Sequence, residues 1–202
     1  ARREAIKRPK FSPTPAQDLV IRSKALERYL FCANAFGKST LLVNELHWAA
    51  NGFNPITGEH AQVPAKIALL IDSPEKINDF LEEYKKWNVI TPEQLHKKGK
   101  PNFSFITYAN GSTVTVLTHE VNPLRLEGSQ WTHVFCDEPP PRQVFLSIFR
   151  GGRIKGRPMK TFLAGTPITA AWLRLEVYDP WVKGELPQAE CFRGSTEDNR
   201  QN

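Results

Sequence analysis

The sequence predicts an α/β fold with a mostly parallel central sheet flanked by helices and an added antiparallel hairpin. Strand-like and helix-like segments alternate along most of the chain, which is typical of parallel sheets. The run KIALLI (66–71) is continuously apolar, as expected of a strand buried on both faces of such a sheet. The segments 102–108 and 112–118 alternate in polarity and flank Ala-Asn-Gly, a strong hairpin signal.

Helix start and stop signals place three helices. They are predicted at residues 16–27, 38–50 and 73–87. Thr14 or Pro15 lies near the start of the first helix, since proline is well tolerated in a first helical turn. Gly52 gives the second helix a stop signal, and Ser73 followed by Pro74 is typical of a capped helix start.

The remaining apolar segments predict strands, and residues 53–64 predict a loop. The predicted strands are 30–33, 66–71, 102–108, 112–118, 132–138, 161–167 and 189–193. The strand 132–138 ends in two acidic residues, and 161–167 runs into a Gly-Thr-Pro turn. These polar ends lie where parallel strands of a sheet carry functional groups.

Composition favours one soluble domain that binds polyanions. The chain has 202 residues, of which 40% are apolar, and a formal net charge of +6. No apolar run approaches the ~18 residues of a membrane span. The three cysteines form no C-x-x-C, which argues against a zinc site or a disulfide framework and favours a reducing compartment. Residues 139–175 contain seven basic residues and no acid, which suits contact with polyphosphate or DNA backbone; a solvated face is the alternative, as for the lysines of 85–100.

The segment CANAFGKST between a predicted strand and a predicted helix matches the end of a phosphate-binding loop, G-x-x-x-x-G-K-[ST]. The predicted phosphate-contacting residues are Cys32, Ala33, Asn34, Ala35, Phe36, Gly37, Lys38, Ser39 and Thr40. Backbone N–H groups and the helix N-terminus would wrap a polyphosphate. We expect Lys38 to reach the β and γ phosphates and Ser39 to hold Mg²⁺, with Thr40 as the alternative. The first glycine is replaced by Cys32, and a chance match is the competing interpretation.

The acids that end the strand 132–138 are the second candidate site. We expect Asp137 to bind Mg²⁺ and Glu138 to act as the general base that polarises the attacking water, although a strand running into an acidic turn is the alternative. The intervening strand and the acidic base favour a RecA-like (ASCE) P-loop ATPase over a small GTPase. Thr166 is the candidate sensor of the γ-phosphate, or simply part of a turn. Gln17 could contact an adenine edge, with Phe11 stacked on the ring; a helix cap with a solvent-facing glutamine explains the same residues.

Together these segments resemble the ATPase domain of the large terminase subunit, the motor that packages DNA into tailed-phage and herpesvirus capsids. The resemblance lies in FSPTPAQ, CANAFGKST, NGSTVTVLT, LRLEG, WTHVFCDEPPP, AGTP and STEDN, in that order. It implies an ATP- and Mg²⁺-dependent translocase that moves double-stranded DNA into a procapsid. It also implies a homo-oligomeric ring on the portal protein, a small terminase subunit as partner, and the host cytoplasm as location, with no membrane association.

Two departures from the family pattern shape the expectations. The family has a C-terminal nuclease domain, so this sequence is expected to comprise a basic arm (1–10) and the ATPase domain (11–202), with the nuclease domain absent. Family loops commonly have arginine after the loop asparagine, where this chain has Ala35. We therefore expect nucleotide binding with weak hydrolysis. Arg125 is the candidate for an arginine supplied in trans to a neighbouring subunit; a surface loop arginine is the alternative.

Two other functions fit the same residues. One is another RecA-like nucleic-acid motor, such as a helicase, although that would need a second motor domain. The other is a nucleotide-dependent assembly module that binds DNA or a protein partner without turnover. ATP hydrolysis with and without duplex DNA separates the motor from the module, and duplex unwinding separates a helicase from a translocase.

Overall fold

The computed structural model describes residues 10–33, 35–97, 103–151, 154, 156–166 and 170–199; at 92, 96, 97, 103, 104, 125 and 151 the description covers the backbone alone. The strands are β1 (Glu27–Cys32), β2 (Phe53–Asn54), β3 (Glu59–His60), β4 (Lys66–Ile71), β5 (Leu95–Lys97), β6 (Phe103–Thr107), β7 (Thr113–Thr118), β8 (His133–Asp137), β9 (Lys160–Gly165) and β10 (Ala189–Gly194). The helices are α1 (Pro15–Arg22), α2 (Lys38–Asn51), α3 (Lys76–Trp87), α4 (Arg142–Gly151), α5 (Ala171–Leu173) and α6 (Asp179–Val182), with a π-helix (Arg174–Tyr178) between the last two.

Eight strands form one sheet in the order β10-β1-β9-β8-β4-β7-β6-β5. The pairs from β10 to β7 are parallel, whereas β7, β6 and β5 are antiparallel to one another. The predicted fold class, a mostly parallel sheet with an added antiparallel hairpin, is therefore confirmed. β2 and β3 form a separate two-stranded ribbon in the segment that the sequence predicted to be a loop.

The sheet separates two hydrophobic clusters. One includes residues of α1, α2 and α3, and the other includes residues of α4 and the helical segment 171–182. β4 contributes Ile67 and Leu69 to the first cluster and Ala68 and Leu70 to the second. Because successive side chains of a strand point to opposite faces, a strand covered on both faces reads as an uninterrupted apolar run.

Element boundaries differ from the prediction in two places. The first helix ends at Arg22 rather than at 27, because Glu27 already pairs with Ala189 on one side and Thr161 on the other. Sheet pairing on both edges outweighs the weak helix propensity of this segment. The third helix begins at Lys76 rather than at Ser73, whose carbonyl accepts the Lys76 N–H at 3.2 Å in a preceding turn.

The parallel arrangement gathers the functional candidates at one edge of the sheet. Parallel strands present their carboxyl ends on the same side, where ligands of α/β proteins bind. Asp137 at the end of β8 pairs in register with Ala164 of β9 and with Ile71 of β4. The phosphate-binding loop follows β1, which is bonded to β9. Among the described residues, no helix has the length and apolar character needed to cross a membrane.

Candidate nucleotide-binding site

The loop between β1 and α2 has the backbone of a phosphate cradle. Gly37 has a φ of 86° and Ala35 a φ of 65°, so both lie in the left-handed region. Such a conformation costs a non-glycine residue about 1–2 kcal/mol, and strain of this kind concentrates at functional sites. The helix α2 begins directly after the loop, and its first turn carries no acidic residue. Its N-terminus is therefore free of a competing carboxylate and can receive an anion.

Three contacts hold this loop against the rest of the domain. The Ala33 N–H donates to the Gly194 carbonyl at 3.2 Å, continuing the β1–β10 pairing. The buried Phe36 ring packs so closely on Gly194 that a Cβ at that position would overlap the ring. The Gln17 side-chain amide donates to the Phe36 carbonyl at 3.2 Å. No pattern in the sequence pointed to Gly194, because only the fold brings β10 beside the loop.

Gln17 serves the loop and the start of α1 at once. Its side-chain oxygen accepts the Thr14 N–H at 3.0 Å, while the Thr14 hydroxyl accepts the Gln17 N–H at 3.3 Å, which together form a capping box. Gln17 is 2% exposed, so it does not face solvent. Contact with an adenine edge stays a prediction, since both ends of the amide already have protein partners. Phe11 packs against Trp48 and Trp87, each with ring centroids 5.9 Å apart.

Lys38, Glu138 and Thr166 meet at the carboxyl edge of the sheet. The Lys38 ammonium donates to one carboxylate oxygen of Glu138 and, at 3.0 Å, to the Thr166 hydroxyl. The other Glu138 oxygen accepts the Thr166 N–H at 2.8 Å. Three residues predicted separately, from three strand ends, thus form one hydrogen-bonded cluster.

Glu138 is held in an unusual backbone conformation. Its φ is 72°, and its N–H donates to the Ala164 carbonyl at 2.9 Å. Gly165 makes this possible, because a Cβ at that position would lie 2.5 Å from Pro139 Cδ and 2.9 Å from Glu138 Oε2. The sequence analysis treated this glycine only as a turn residue. The structure shows that it clears space for the carboxylate beside it.

Asp137 and Ser39 line one cleft and fit the two magnesium roles predicted for them. The cleft has a volume of about 560 Å³, and its lining consists of Ala35, Gly37, Lys38, Ser39, Thr40, Lys76, Asp79, Phe80, Glu83, Lys86, Asp137 and Glu138. Burial, and then the neighbouring Glu138 carboxylate, raise the pKa of Asp137 to about 6. A carboxyl in this setting gains from a cation. Among the described residues, no group of three acidic, histidine or cysteine side chains forms a closed metal site. One hydroxyl and one carboxylate suit Mg²⁺ that shares its remaining ligands with phosphates and water.

The other loop residues have structural surroundings. Cys32 is buried at the end of β1, and burial raises the pKa of its thiol to about 12, so it remains a protonated core residue. The Thr40 hydroxyl donates to Glu83 at 2.5 Å, so Ser39 is the better candidate for the hydroxyl that holds Mg²⁺. Glu83 also accepts the Trp87 indole N–H at 2.6 Å. A second recess of about 320 Å³ adjoins the cleft and is lined partly by Phe11, Gln17 and Trp87.

Two predicted residues cannot be placed. Asn34 lies outside the described residues. The backbone of Arg125 closes a 3₁₀ turn, Pro123–Arg125, and its side chain is outside the description.

The basic stretch 139–175 is less open to a polyanion than its composition suggested. Arg142 pairs with Glu176, and Arg157 donates to the Pro64 carbonyl at 2.8 Å. Arg150 and Arg174 lie 3.9 and 3.8 Å from the carboxylates of Glu127 and Asp179, respectively. Residues 153 and 155 are outside the described part. These exposed pairs are individually weak, but they supply local counter-charges that the sequence interval lacked.

Comparison with known structures adds a fold-level finding. No protein-family model and no curated protein matches the chain. Among solved structures, the large terminase of a thermophilic bacteriophage matches with a TM-score of 0.65 and 13% identity, over 93% of this chain and 47% of that one. The HK97 bacteriophage large terminase matches with a TM-score of 0.66 and 18% identity, over 93% and 40%, respectively.

The Thermus phage P74-26 large terminase ATPase domain matches with a TM-score of 0.56 and 13% identity, over 91% of this chain and 81% of that one. The first of these terminases, in complex with ADP, matches with a TM-score of 0.61 and 13% identity, over 94% and 47%. The chain spans less than half the length of the two full large terminases and most of the P74-26 domain. The chain therefore has the fold of the ATPase domain of phage large terminases, as its sequence motifs predicted.

Proposed function

We propose that this chain is the ATPase domain of a viral DNA-packaging motor, which binds Mg²⁺-ATP in the cleft beside Lys38 and hydrolyses it to drive double-stranded DNA into a procapsid. The observation that carries the proposal is the cluster of Lys38, Glu138 and Thr166 beside a strained phosphate loop. A lysine, an acid and a hydroxyl that converge there from three strand ends match the parts that phosphoryl transfer requires. The fold shared with terminase ATPase domains, one of them in a protein solved with ADP, supports it.

Each residue has a role in binding. Backbone N–H groups from Cys32 to Thr40 and the start of α2 would surround the phosphates, and Lys38 would turn from Glu138 toward them. Ser39 and Asp137 would hold Mg²⁺, which neutralises phosphate charge when bound. The raised pKa of Asp137 implies that cation binding and deprotonation of this carboxyl accompany each other.

Glu138 and Thr166 serve the hydrolytic step. Release of Lys38 to the phosphates would free one oxygen of Glu138, which could then accept a proton from the attacking water or orient it. The second oxygen stays fixed by the Thr166 N–H, so the carboxylate keeps its direction. The Thr166 hydroxyl also loses the Lys38 donor when the lysine turns, which leaves it able to respond to the terminal phosphate.

Ala35 sets the expected rate. It lies in the cleft lining in a strained left-handed conformation, and its side chain carries no charge. An arginine that stabilises a transferring phosphoryl group can contribute ~10³–10⁵ in rate. The proposed consequence is that this chain binds ATP well and hydrolyses it weakly.

The larger assembly is part of the proposal. The thermophilic-phage and HK97 proteins are large terminases of which this chain spans less than half. We propose that residues 11–202 act as the ATPase domain behind the basic arm 1–10, without a nuclease domain, in a homo-oligomeric ring. Its partners would be double-stranded DNA, the small terminase subunit and the portal protein in the host cytoplasm, and Arg125 would reach a neighbouring subunit.

Nucleotide binding and phosphate release with and without duplex DNA test the proposal. Lys38→Ala is expected to abolish ATP binding, whereas Glu138→Gln is expected to retain binding and lose hydrolysis. Lys66→Ala is the control, since Lys66 is exposed at the opposite end of β4. If the chain binds no nucleotide, or if Lys38→Ala binds as tightly as the parent, the nucleotide site is refuted. DNA-independent binding without turnover, even after Ala35→Arg, would favour the assembly module.

A further inference from the structure

A second lysine lies in the same cleft and has no role in the site described so far. Lys76 is the first residue of α3 and lines the cleft with Lys38, Ser39 and Glu138. It follows β4, and β4 is bonded to β8, the strand that carries Asp137. The fold therefore brings Lys76 to the carboxyl edge of the sheet, on the side of β8 opposite to β9 and Thr166.

The ammonium of Lys76 is only loosely held. Its Nζ lies 2.7 Å from Asp72 Oδ2, and the two side chains are 50% and 46% exposed. Ion pairs this exposed are weak and exchange easily with other partners. The hydrogen bond from Asp72 and, to a smaller extent, the carboxylates of Asp137 and Glu138 raise the pKa of Lys76. Lys76 is thus charged, and its interactions extend from Asp72 to the acids of the site.

The charges in the cleft call for such a cation. A nucleoside triphosphate brings several negative charges next to Asp137 and Glu138. Lys38 is a single positive charge, and Lys86 lies farther along α3, 3.9 Å from Glu83. A second mobile ammonium near the acids would offset the repulsion between those carboxylates and the terminal phosphate.

We propose that Lys76 leaves Asp72 and binds the terminal phosphate of the nucleoside triphosphate, so that the site distinguishes a triphosphate from a diphosphate. This inference depends on the proposed function of the cleft. It assigns the β4–α3 connection as a phosphate-contacting segment beside the loop after β1. Lys76 then supplies positive charge from α3 in a cleft where the loop residue Ala35 supplies none.

The test compares the affinities of ATP and ADP, each with Mg²⁺, by displacement of a fluorescent nucleotide from the purified chain. For Lys76→Gln we expect a loss of ATP affinity of roughly tenfold to a hundredfold, as for one charge-assisted hydrogen bond, with ADP affinity changed by less than about twofold. Lys76→Arg should keep most of the preference for ATP, because it keeps the charge. Lys66→Gln, at the other end of β4, is the matched control and should leave both affinities unchanged.

Three results would overturn the inference. They are an equal loss of ATP and ADP affinity in Lys76→Gln, an equal effect of Lys76→Arg and Lys76→Gln, and a loss of ATP preference in Asp72→Asn as large as in Lys76→Gln. The last would mean that the ion pair itself supports the site. Lys38→Ala separates this failure from that of the proposed function. If Lys38→Ala abolishes both affinities and Lys76→Gln leaves their ratio unchanged, only the role of Lys76 fails.

Discussion

Replacing Gly165 with alanine tests whether the position of Glu138 determines turnover. The φ of Gly165 lies outside the left-handed region, so its own backbone accepts a side chain. The added Cβ, however, would lie 2.5 Å from Pro139 Cδ, 2.9 Å from Glu138 Oε2 and 3.1 Å from Glu138 Cα. The substitution therefore acts through one methyl group aimed at the general base and at the backbone that holds it.

The size of the effect follows from these distances. Carbon atoms in contact are separated by about 3.5–4 Å, so the methyl overlaps Pro139 by about 1 Å. The proline ring is covalently tied to Glu138 and cannot move alone. Overpacking of this kind costs about 1–3 kcal/mol of unfolding free energy, and a misplacement of about 1 Å at a catalytic group can cost ~10²-fold in rate. We expect Gly165→Ala to lose about 10²-fold in hydrolysis while ATP affinity stays near that of the parent.

Single-turnover hydrolysis with enzyme in excess over labelled ATP measures this loss even when the parent is slow. Nucleotide titration and urea unfolding of the same samples separate catalysis from binding and folding. Gly184→Ala is the control, since its Cβ would meet nothing within 4 Å and its φ of 76° affects stability alone. Hydrolysis at the parent rate in Gly165→Ala, or a loss of affinity as large as the loss of rate, would refute the reasoning.

Three further predictions follow from other parts of the structure. Gly194→Ala should weaken ATP and ADP binding together, because its Cβ would overlap the aromatic ring that anchors the phosphate loop; unchanged titration curves would contradict it. Ala35→Arg should raise the hydrolysis rate by at least about tenfold, below the ~10³–10⁵ of a fully effective arginine, and an equal rate in phosphate-release assays would contradict it. Between pH 7 and pH 5, without nucleotide or Mg²⁺, the free energy of unfolding should fall by about 2–3 kcal/mol. Burial lowers the pKa of His47 to about 4 and that of His133 to about 3, so the unfolded chain binds protons first and each histidine loses about 2 kcal/mol. The raised pKa of Asp137 offsets about 1 kcal/mol in the opposite direction, and urea unfolding that is equal at both pH values would contradict the prediction.

Local pattern was sufficient for the fold class and for the main parts of the site. The apolar run of β4 predicted a strand covered on both faces, and the structure buries alternate residues in separate clusters. Lys38, Glu138 and Thr166 were predicted individually because each stands where a strand ends. Parallel pairing then requires those ends to share one edge of the sheet. The boundary at Arg22 was mispredicted, because strand pairing of Glu27 on both sides depends on β9 and β10, which are distant in sequence.

The sequence by itself determined the parallel sheet, the loop before α2 and the acids after β8, since short-range periodicity and turn residues encode such features. The tertiary structure alone decided what surrounds them. Gly165 clears space for Glu138, Gly194 receives the Phe36 ring, and Lys76 enters the cleft from α3. Each of these contacts joins segments far apart in the chain, so its distance depends on how the strands are ordered and packed. Propensity and spacing carry no information about such distances, which are fixed only when the sheet assembles.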